Sequence, residues 1–479
     1  MPRMSRRALL CLAISVYCLL VLPRMLSHGM FLDGIGYASI ARNMAEHYGS
    51  FWRPSYTATV FPVFDEKPPL GFWLQSWAYR LCGDTAYVET FWGFCIGALI
   101  LVGLGGIWHH LRPQGATVAG TWFPLMFFVI LPMTSWAFSN NILENTMTFF
   151  IVMAVYCCIV GLNHPNVLLS LLYEILSGVC IFLAFLVKGP VALFPLAVPF
   201  ISMINECKKL LRVIAMTCVL AITLAFSFGI MFYVSAESAH FLKRFLRQQI
   251  LARVTGERAT STSRFIVLEA VSREILVPLI AGGLLTTAMY RHRKTTIFSM
   301  NYRLFLSYLC IALAGSLPLL ISTDQKRWYT FPSLPFYALA IAVVFNDIAR
   351  SFEQFIDENT KVYKHTLLSS LIILCIAIFS MFLEKNALRR DKDFHRDFST
   401  QPLMIKGRAI ISVYPKNLAT NWALVANMQR KFKASLSENI GHDYLLTTIE
   451  YMNSEHIPSK YKRIPPFSAK KYVLFRLDE

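Results

Sequence analysis

Long apolar segments separated by short polar ones run through most of this chain, and they predict membrane-spanning helices. A helix needs roughly 17–25 predominantly apolar residues to cross the hydrocarbon core of a bilayer. Such segments lie at 8–27, 87–110, 115–132, 146–162, 168–187, 190–206, 213–235, 274–290, 304–321, 328–346 and 366–384. We therefore expect an all-α polytopic membrane protein with about eleven transmembrane helices, contained in a transmembrane domain over residues 1–384.

Residues 28–86 interrupt this pattern as a long loop of mixed polarity. Apolar residues in Tyr37–His47 recur at helical spacing, and Pro68-Pro69 favours the start of a second helix that continues through Trp77. Both segments present apolar or aromatic faces, which suits helices lying in the membrane interface. The sequence thus predicts two interfacial helices in this loop.

Residues 385–479 alternate between polar and apolar positions and predict a small separate domain. A helical pattern covers Trp422–Leu436, and Lys385–Asp397 has the composition of a charged linker. Strand-like runs occupy Ala409–Tyr414, Tyr444–Thr448 and Tyr472–Leu477. We expect a C-terminal α/β domain here.

The composition and the charges of the loops predict the topology. With 55% hydrophobic and 15% charged residues, the chain is too apolar for a soluble protein of its length. The positive-inside rule places the N-terminus in the cytoplasm, because the first span follows Arg3, Arg6 and Arg7. Counting crossings from there puts on the outer face the segments 28–86, 236–272 and 385–479. The alternative, a cleaved signal peptide over 1–27, lacks an A-x-A-like site and would spoil this charge pattern.

The net charge of +18 is spread over loops between apolar spans, which favours anionic lipid headgroups rather than nucleic acid as partners. None of the 11 cysteines follows Cys375, so the C-terminal domain is expected to contain no disulfide. The sequence contains no CxxC motif and no Cys/His metal spacing.

The outer loop 236–272 runs against the positive-inside rule. Its basic residues are Lys243, Arg244, Arg247, Arg253, Arg258, Arg264 and Arg273. They are consistent with an anion-binding surface and equally with a solvated amphipathic helix.

Asp33 is the first candidate for chemistry, since it follows the first span at the outer interface. Gly34 is expected to let the backbone turn away from the helix. A partly desolvated carboxylate at this position can act as a general base, or remain ionised and orient a substrate. The structural alternative is an Asp that caps a helix.

Glu66 and Lys67 are held by the prolines that follow them, because the residue before a proline is restricted to extended conformations. Lys67 is suited to a phosphate, and Glu66 to an acceptor group or a divalent metal ion. An interfacial ion pair with no further role is the alternative.

Glu144 is the only acid between two apolar spans at the outer face, and ionisable groups at such depth are often functional. A Glu that opens a helix and interacts with its dipole is the structural alternative. Lys188 and Lys326 lie in outer turns and are further candidates for contact with a donor phosphate.

Carboxylates and cations at one membrane face suit a phosphorylated lipid substrate. A carboxylate can activate the acceptor while cations stabilise a phosphate leaving group, as inverting transfer from a lipid phosphate requires. The sequence has no Gly-rich nucleotide loop, which argues against a nucleotide-sugar donor.

Several short motifs, in this order, connect the chain to a known family. They are Asp33-Gly34 with Tyr37 and Ala41-Arg42, Glu66-Lys67-Pro68-Pro69-Leu70 with Phe72-Trp73-Leu74, Lys188-Gly189-Pro190, and Lys326-Arg327-Trp328-Tyr329 leading to Pro332 and Pro335. Over residues 1–346 the chain resembles the dolichyl-phosphate-mannose protein mannosyltransferase-like bacterial glycosyltransferases of the GT-C superfamily, which include the lipid A aminoarabinose transferases.

This resemblance implies a polyprenyl-phosphate sugar donor, a periplasmic active site and two acids near the reaction centre. Asp33 and Glu144 occupy those two places, although the second acid is commonly Asp in the family. The predicted function is an inverting transferase that moves one sugar from an undecaprenyl-phosphate-type carrier to lipid A, another envelope glycan or a protein. Arg253 joins Lys67, Lys188 and Lys326 as a predicted phosphate ligand.

A lipid or polysaccharide transporter is the rival function, from a different class. A transporter is expected to carry ionisable residues near the bilayer midplane, whereas here they gather at one face. A purely structural membrane component would leave the charged outer loops without a role.

Overall fold

Helices dominate the computed structural model, which describes residues 4–110, 118–205, 210–252, 255, 257, 263, 265–293, 300–398, 405, 407–465 and 468–478. The α-helices are α1 (Met4–Val21), α2 (Leu32–Ala45), α3 (Leu70–Cys82), α4 (Val88–His110), α5 (Trp122–Val129), α6 (Pro132–Ser139), α7 (Leu143–Asn163), α8 (Val167–Lys188), α9 (Val198–Asn205), α10 (Leu210–Val234), α11 (Ala236–Phe245), α12 (Ile266–Arg293), α13 (Tyr302–Ser316), α14 (Leu334–Val344), α15 (Asn346–Glu358), α16 (Thr360–Leu383), α17 (Lys392–Asp397) and α18 (Trp422–Phe432). Short 3-10 helices include Pro190–Ala197 and Arg327–Ser333.

Seven helices of the described chain are long and apolar enough to cross a membrane, or up to nine when each sharply bent helix pair counts as one span. One such pair is α5 and α6, which meet at 72° where Pro132 removes a backbone donor. The protein is a multi-pass membrane protein, as the apolar pattern predicts. The predicted number of about eleven spans is not confirmed.

The chain divides into two compact units. The first contains Met1–Met25, Gly93–Ser139 and Leu143–Leu383. The second contains Leu26–Trp92, Asn140–Ile142 and Glu384–Glu479. The first loop thus belongs to the same unit as the C-terminal segment, and the division into a transmembrane domain over 1–384 and a C-terminal domain over 385–479 stays a prediction.

In the first unit, the antiparallel helices α7 and α8 pack closely. Ser177 donates its hydroxyl to the carbonyl of Ala154 at 2.8 Å, and Ser170 donates to the carbonyl of Gly161 at 2.6 Å. Small residues let two helix backbones approach in this way. The consequence is that the first residues of α7 and the last residues of α8 lie at the same end of the pair.

In the second unit, α2 and α3 confirm the two helices predicted for the first loop. α18 packs against α2, where the guanidinium of Arg42 is 1% exposed. It donates to the carbonyls of Gln429 at 3.0 Å and Arg430 at 2.9 Å, at the C-terminal end of α18. Arg42 therefore adds donors to carbonyls in the last turn of α18, although the carbonyl of Gln429 also accepts from the N–H of Lys433 at 3.1 Å.

The C-terminal segment forms a five-stranded sheet in the order β2-β1-β3-β5-β4. Its strands are β1 (Ile410–Val413), β2 (Ser435–Ser437), β3 (Tyr444–Thr448), β4 (Tyr461–Arg463) and β5 (Tyr472–Leu477). β1 pairs in parallel with β2 and β3, whereas β5 pairs antiparallel with β3 and β4. The predicted α/β character of this segment is confirmed.

Two details of the C-terminal segment differ from the sequence prediction. The helix predicted to reach Leu436 ends at Phe432, because Lys433 adopts a left-handed conformation with φ 59° and β2 follows. The predicted linker Lys385–Asp397 includes α17, and the buried carboxylate of Asp397 accepts hydrogen bonds from three backbone N–H groups near β5. This part of the linker is therefore packed structure.

Candidate functional site

A buried ion pair joins the two ends of the α7–α8 pair in the first unit. Glu144 lies in the first turn of α7 and is 0% exposed, and Lys188 is the last residue of α8. The ammonium of Lys188 donates to Oε1 of Glu144. Oε2 of Glu144 has no hydrogen-bond partner among the residues that the structure describes. One carboxylate oxygen is thus buried without a described hydrogen-bond partner.

Lys188 also contacts an aromatic ring. Its Nζ lies 4.8 Å from the ring centroid of Tyr329, which belongs to the 3-10 helix Arg327–Ser333. In the same turn, Trp328 stacks on Trp136 with 5.8 Å between ring centroids. A cation held between a carboxylate and a π-face is a preorganised partner for an anion.

Gly189 makes the position of Lys188 possible. Its φ of +101° lies in a region that residues with a Cβ rarely adopt, and a Cβ there would crowd the ring of Phe245. The sequence predicts that Lys188 is an isolated cation on a tight turn. The turn is confirmed, but the cation is paired with Glu144.

Lys326, also in the first unit, forms an ion pair with Asp324. Its Nζ lies 3.4 Å from Oδ1 of Asp324, and its side chain is 35% exposed. The side chain of Asp324 is 8% exposed, so the lysine is the solvent-facing member of this pair and is suited to contact a ligand as well. Arg253, the other predicted phosphate ligand of this unit, lies outside the described residues.

Asp33 is the second residue of α2 and lies in the second unit. The segment Asn140–Ile142 holds the start of this helix: the N–H of Phe31 donates to Oδ1 of Asn140 at 2.7 Å, and Nδ2 of Asn141 donates to the carbonyl of Gly34 at 3.0 Å. These contacts fix the turn that carries the carboxylate.

The role predicted for Gly34 is wrong. Gly34 lies inside α2 and does not turn the chain away from it. A Cβ at this position would overlap the carbonyl oxygen of Asn140, so the glycine serves close approach of two backbones. Asp33 is also not the N-cap residue, which is Phe31. A carboxylate in the first turn of a helix interacts favourably with the helix dipole.

Tyr56 lies near Asp33. Burial, and then the negative charge of Asp33, raise the pKa of the Tyr56 phenol, which therefore stays protonated. The amide of Asn43 fixes this part of the loop by donating to the carbonyls of Ser55 at 3.0 Å and Tyr56 at 2.9 Å. Nothing in the spacing of the sequence pointed to Tyr56.

Glu66 and Lys67 are half-buried and directly precede α3 in the second unit. Pro68 and Pro69 are buried, and the carbonyl of Pro69 accepts from the N–H of Trp73 at 3.0 Å. The two charged residues are thus attached to a fixed helix start, as predicted. Among the described residues, no group of three or more His, Cys, Asp and Glu side chains is arranged to hold a metal ion.

Sequence comparison relates the chain to two bacterial transferases. It is 25% identical over 285 residues to an undecaprenyl phosphate-alpha-4-amino-4-deoxy-L-arabinose arabinosyl transferase of Proteus mirabilis, covering 58% of this chain and 50% of that protein. It is 25% identical over 190 residues to the corresponding enzyme of Photorhabdus laumondii, covering 39% of this chain and 32% of that protein. The chain thus spans half or less of these relatives. No family model matches it.

Solved structures share its fold over nearly the whole length. ArnT from Cupriavidus metallidurans bound to undecaprenyl phosphate has a TM-score of 0.63 at 16% identity, covering 98% of this chain and 97% of that one. The oligosaccharyltransferase of Archaeoglobus fulgidus in its apo form has a TM-score of 0.51 at 13% identity, covering 93% and 70%. The predicted resemblance to ArnT-like proteins of the GT-C type is confirmed in fold.

Proposed function

We propose that this protein is an inverting glycosyltransferase that moves a single sugar from a polyprenyl-phosphate donor to lipid A, another envelope glycan or a protein. The observation that carries the proposal is the fold match over 98% of the chain to a protein bound to undecaprenyl phosphate. The sequence relatives, which are named for transfer of aminoarabinose from undecaprenyl phosphate, support the same chemistry.

The donor phosphate is the proposed partner of the predicted cations. Lys188 is held by Glu144 and by the ring of Tyr329, so its side chain is ordered before the donor arrives. An ammonium has three donors, and it can keep the carboxylate while donating to a phosphate oxygen. We assign the same role to Lys67, Lys326 and Arg253.

The acceptor is the proposed partner of the carboxylates. In the reaction, Asp33 takes the proton of the acceptor hydroxyl, and the acceptor oxygen attacks the anomeric carbon. The bond from that carbon to the phosphate oxygen breaks, and the polyprenyl phosphate leaves with its charge stabilised by the cations. Oε2 of Glu144 accepts a hydrogen bond from the acceptor and orients it. Glu66 contacts the acceptor or a divalent metal ion.

The orientation follows from the distribution of basic loops. We propose a bacterial inner-membrane protein with a cytoplasmic N-terminus and with the loops 28–86 and 236–272 and the segment 385–479 in the periplasm. Because no cysteine follows Cys375, Glu455→Cys introduces a unique probe in the C-terminal segment. An impermeant maleimide should label it in intact cells and should not label Arg291→Cys. The reverse result would overturn the topology.

Mass spectrometry of lipid A and envelope glycans tests the function. A deletion strain should lack one sugar relative to its parent, and re-expression of the protein should restore it. Restoration of the sugar by a variant in which both Asp33 and Glu144 are replaced would contradict the assignment. An unchanged glycan mass with altered lipid distribution would identify a transporter instead.

A further inference from the structure

The side of α2 that carries Asp33 is accessible along one narrow strip. Asp33 is half-buried, and from Gly34 to Met44 the only residue of this helix that is not buried is Gly36. Residues three positions apart are neighbours on a helix surface, with about 5–6 Å between their Cβ atoms. Asp33 and Gly36 therefore share one accessible strip in the first turns of α2.

The phenol of Tyr56 lies on this strip. A Cβ built on Gly36 would be 3.6 Å from the phenol oxygen, so the hydroxyl packs directly over Gly36. Together with the helical spacing, this contact places the hydroxyl within about 10 Å of the Cβ of Asp33. All three residues belong to the second unit. The hydroxyl of Tyr56 and the carboxylate of Asp33 thus border the same small volume.

The hydroxyl of Tyr56 can accept a ligand as a partner. Tyr56 is 6% exposed, and its phenol oxygen forms no hydrogen bond with the residues that the structure describes. This oxygen is not one of the fully buried atoms without a partner, so the exposed part of the side chain includes the hydroxyl. A tyrosine buried to this degree usually has a hydrogen-bond partner for its hydroxyl. Burial and the charge of Asp33 raise the pKa of the phenol, which keeps its donor proton.

The loop that holds Tyr56 is fixed by hydrogen bonds. Besides the two bonds from Asn43, the N–H of Tyr56 donates to the carbonyl of Phe61 at 3.2 Å. The hydroxyl of Thr59 donates to the carbonyl of Leu436 in the strand-bearing C-terminal segment at 2.7 Å. Phe61 has a left-handed φ of 51°, which is rare for a bulky residue and persists only where the surroundings determine it. The position of the phenol is therefore set before a substrate binds.

We propose that the hydroxyl of Tyr56 binds a hydroxyl group of the substrate beside Asp33, either the acceptor hydroxyl or a hydroxyl of the sugar that is transferred. This inference rests on the proposed sugar transfer and adds a substrate-binding residue to it. A neutral phenol donates a hydrogen bond without placing a second charge beside the carboxylate. Holding the reacting group in one orientation is a direct source of rate enhancement.

Tyr56→Phe removes only the hydroxyl and tests this contact. Purified full-length protein is added to membranes of the deletion strain, which retain the donor and the unmodified acceptor, and initial rates of sugar addition are measured by mass spectrometry. At limiting substrate the variant should be slower by about 3–10-fold, as expected for the loss of one hydrogen bond between neutral groups. Its melting temperature should be unchanged, because the hydroxyl has no partner among the described residues.

Tyr48→Phe is the matched control. Tyr48 follows the end of α2, about 20 Å along the helix from Asp33, and its ring lies 3.9 Å from the guanidinium carbon of Arg408. Phenylalanine keeps this ring contact, so the control should transfer sugar within about twofold of the parental rate.

Two titrations assign the bound hydroxyl. One varies the lipid extract of the deletion strain as the source of donor, and the other varies its donor-depleted membranes as the source of acceptor. A raised half-saturation value of Tyr56→Phe for the first assigns the hydroxyl of the sugar, and for the second that of the acceptor. Either result supports the contact.

Three results would overturn the role of Tyr56 while sugar transfer by the parent stands. They are a parental rate in Tyr56→Phe, a rate loss that accompanies a lowered melting temperature, and half-saturation values that are unchanged in both titrations. Absence of transfer by the parent would instead overturn the proposed function, and the role of Tyr56 with it.

Discussion

Removing one partner of the buried ion pair between Glu144 and Lys188 should destabilise the protein strongly, and by an amount that depends on which partner is removed. Lys188→Met keeps the length and the apolar stem of the side chain but deletes the ammonium. The carboxylate of Glu144, which is 0% exposed, would then lack its only described cation. Glu144→Gln instead leaves the ammonium of Lys188 in contact with the ring of Tyr329. The side chain of Lys188 is 11% exposed, so its charge also keeps some contact with solvent.

The structure gives the order of the two effects. An uncompensated buried charge costs about 3–5 kcal/mol when its partner is removed, and we expect Lys188→Met to lie in that range. The remaining cation–π contact is worth about 1–2 kcal/mol, so Glu144→Gln should cost about 1–3 kcal/mol. The double variant removes both charges. It should be more stable than Lys188→Met alone, with a coupling energy of at least about 2 kcal/mol.

A double-mutant cycle measures this coupling. Free energies of unfolding would be obtained for the four proteins by dodecyl sulfate titration in mixed micelles, with helix content as the signal. Lys462→Met is the matched control, because it deletes the same ammonium from a pair with Asp478 in which the two side chains are 72% and 50% exposed. The control should cost less than about 1 kcal/mol.

One result would refute the reasoning. If Lys188→Met is no less stable than Lys462→Met and the coupling energy is below about 0.5 kcal/mol, the pair does not hold a desolvated charge. The assignment of Lys188 as an ordered phosphate ligand would then lose its structural basis.

Three further predictions concern the second unit. Asp33→Asn should reduce sugar transfer by about 10²–10⁴-fold with expression unchanged, while the exposed Asp393→Asn should transfer at the parental rate in the same membrane assay. Lys67→Ala should weaken donor binding about 10-fold or more without a comparable loss of stability, and Lys416→Ala, on an exposed turn, should bind donor normally in the same titration. Because the pKa of His395 is lowered to about 4, this residue is neutral in the folded state and its contribution is complete above pH 6.5. Stability should fall by up to about 3 kcal/mol as the pH drops from 6.5 to 4 in pH-dependent unfolding, and His395→Gln should flatten that dependence.

Local patterns in the sequence were sufficient for the elements whose signals lie within a few residues. Pro69 is the N-cap residue of α3, a position at which the missing N–H of proline costs no helical hydrogen bond. β3 and β5 begin and end as the strand-like runs of the sequence predict, and the first four residues of each strand are buried. The multi-pass character follows in the same way from apolar length.

Features that depend on distant contacts could not be predicted. Glu144 and Lys188 are 44 residues apart, and only the packing of α7 on α8 places them together. From its local sequence, Gly34 was predicted to form a turn after the first span. In the structure it instead permits close approach to the backbone carbonyl of Asn140, which is distant in sequence. The segment assigned as a linker became ordered because Asp397 is satisfied by backbone donors near β5. Single-sequence patterns contain no information on such pairings.

The contacts of Arg42 join an early segment of the chain to a late one, so they can form only after the late segment has been synthesised. Its guanidinium, whose pKa burial lowers to about 10, finds the carbonyls of Gln429 and Arg430 only after a further 387 to 388 residues. At about 5–20 residues per second, the ribosome needs roughly 20–80 s to make that stretch. During this interval α2, which carries Asp33 in its first turn, is synthesised but lacks α18, whose carbonyls accept the hydrogen bonds of Arg42. Completion of the second unit is therefore a late event in the biogenesis of this protein, which follows synthesis of the C-terminal segment.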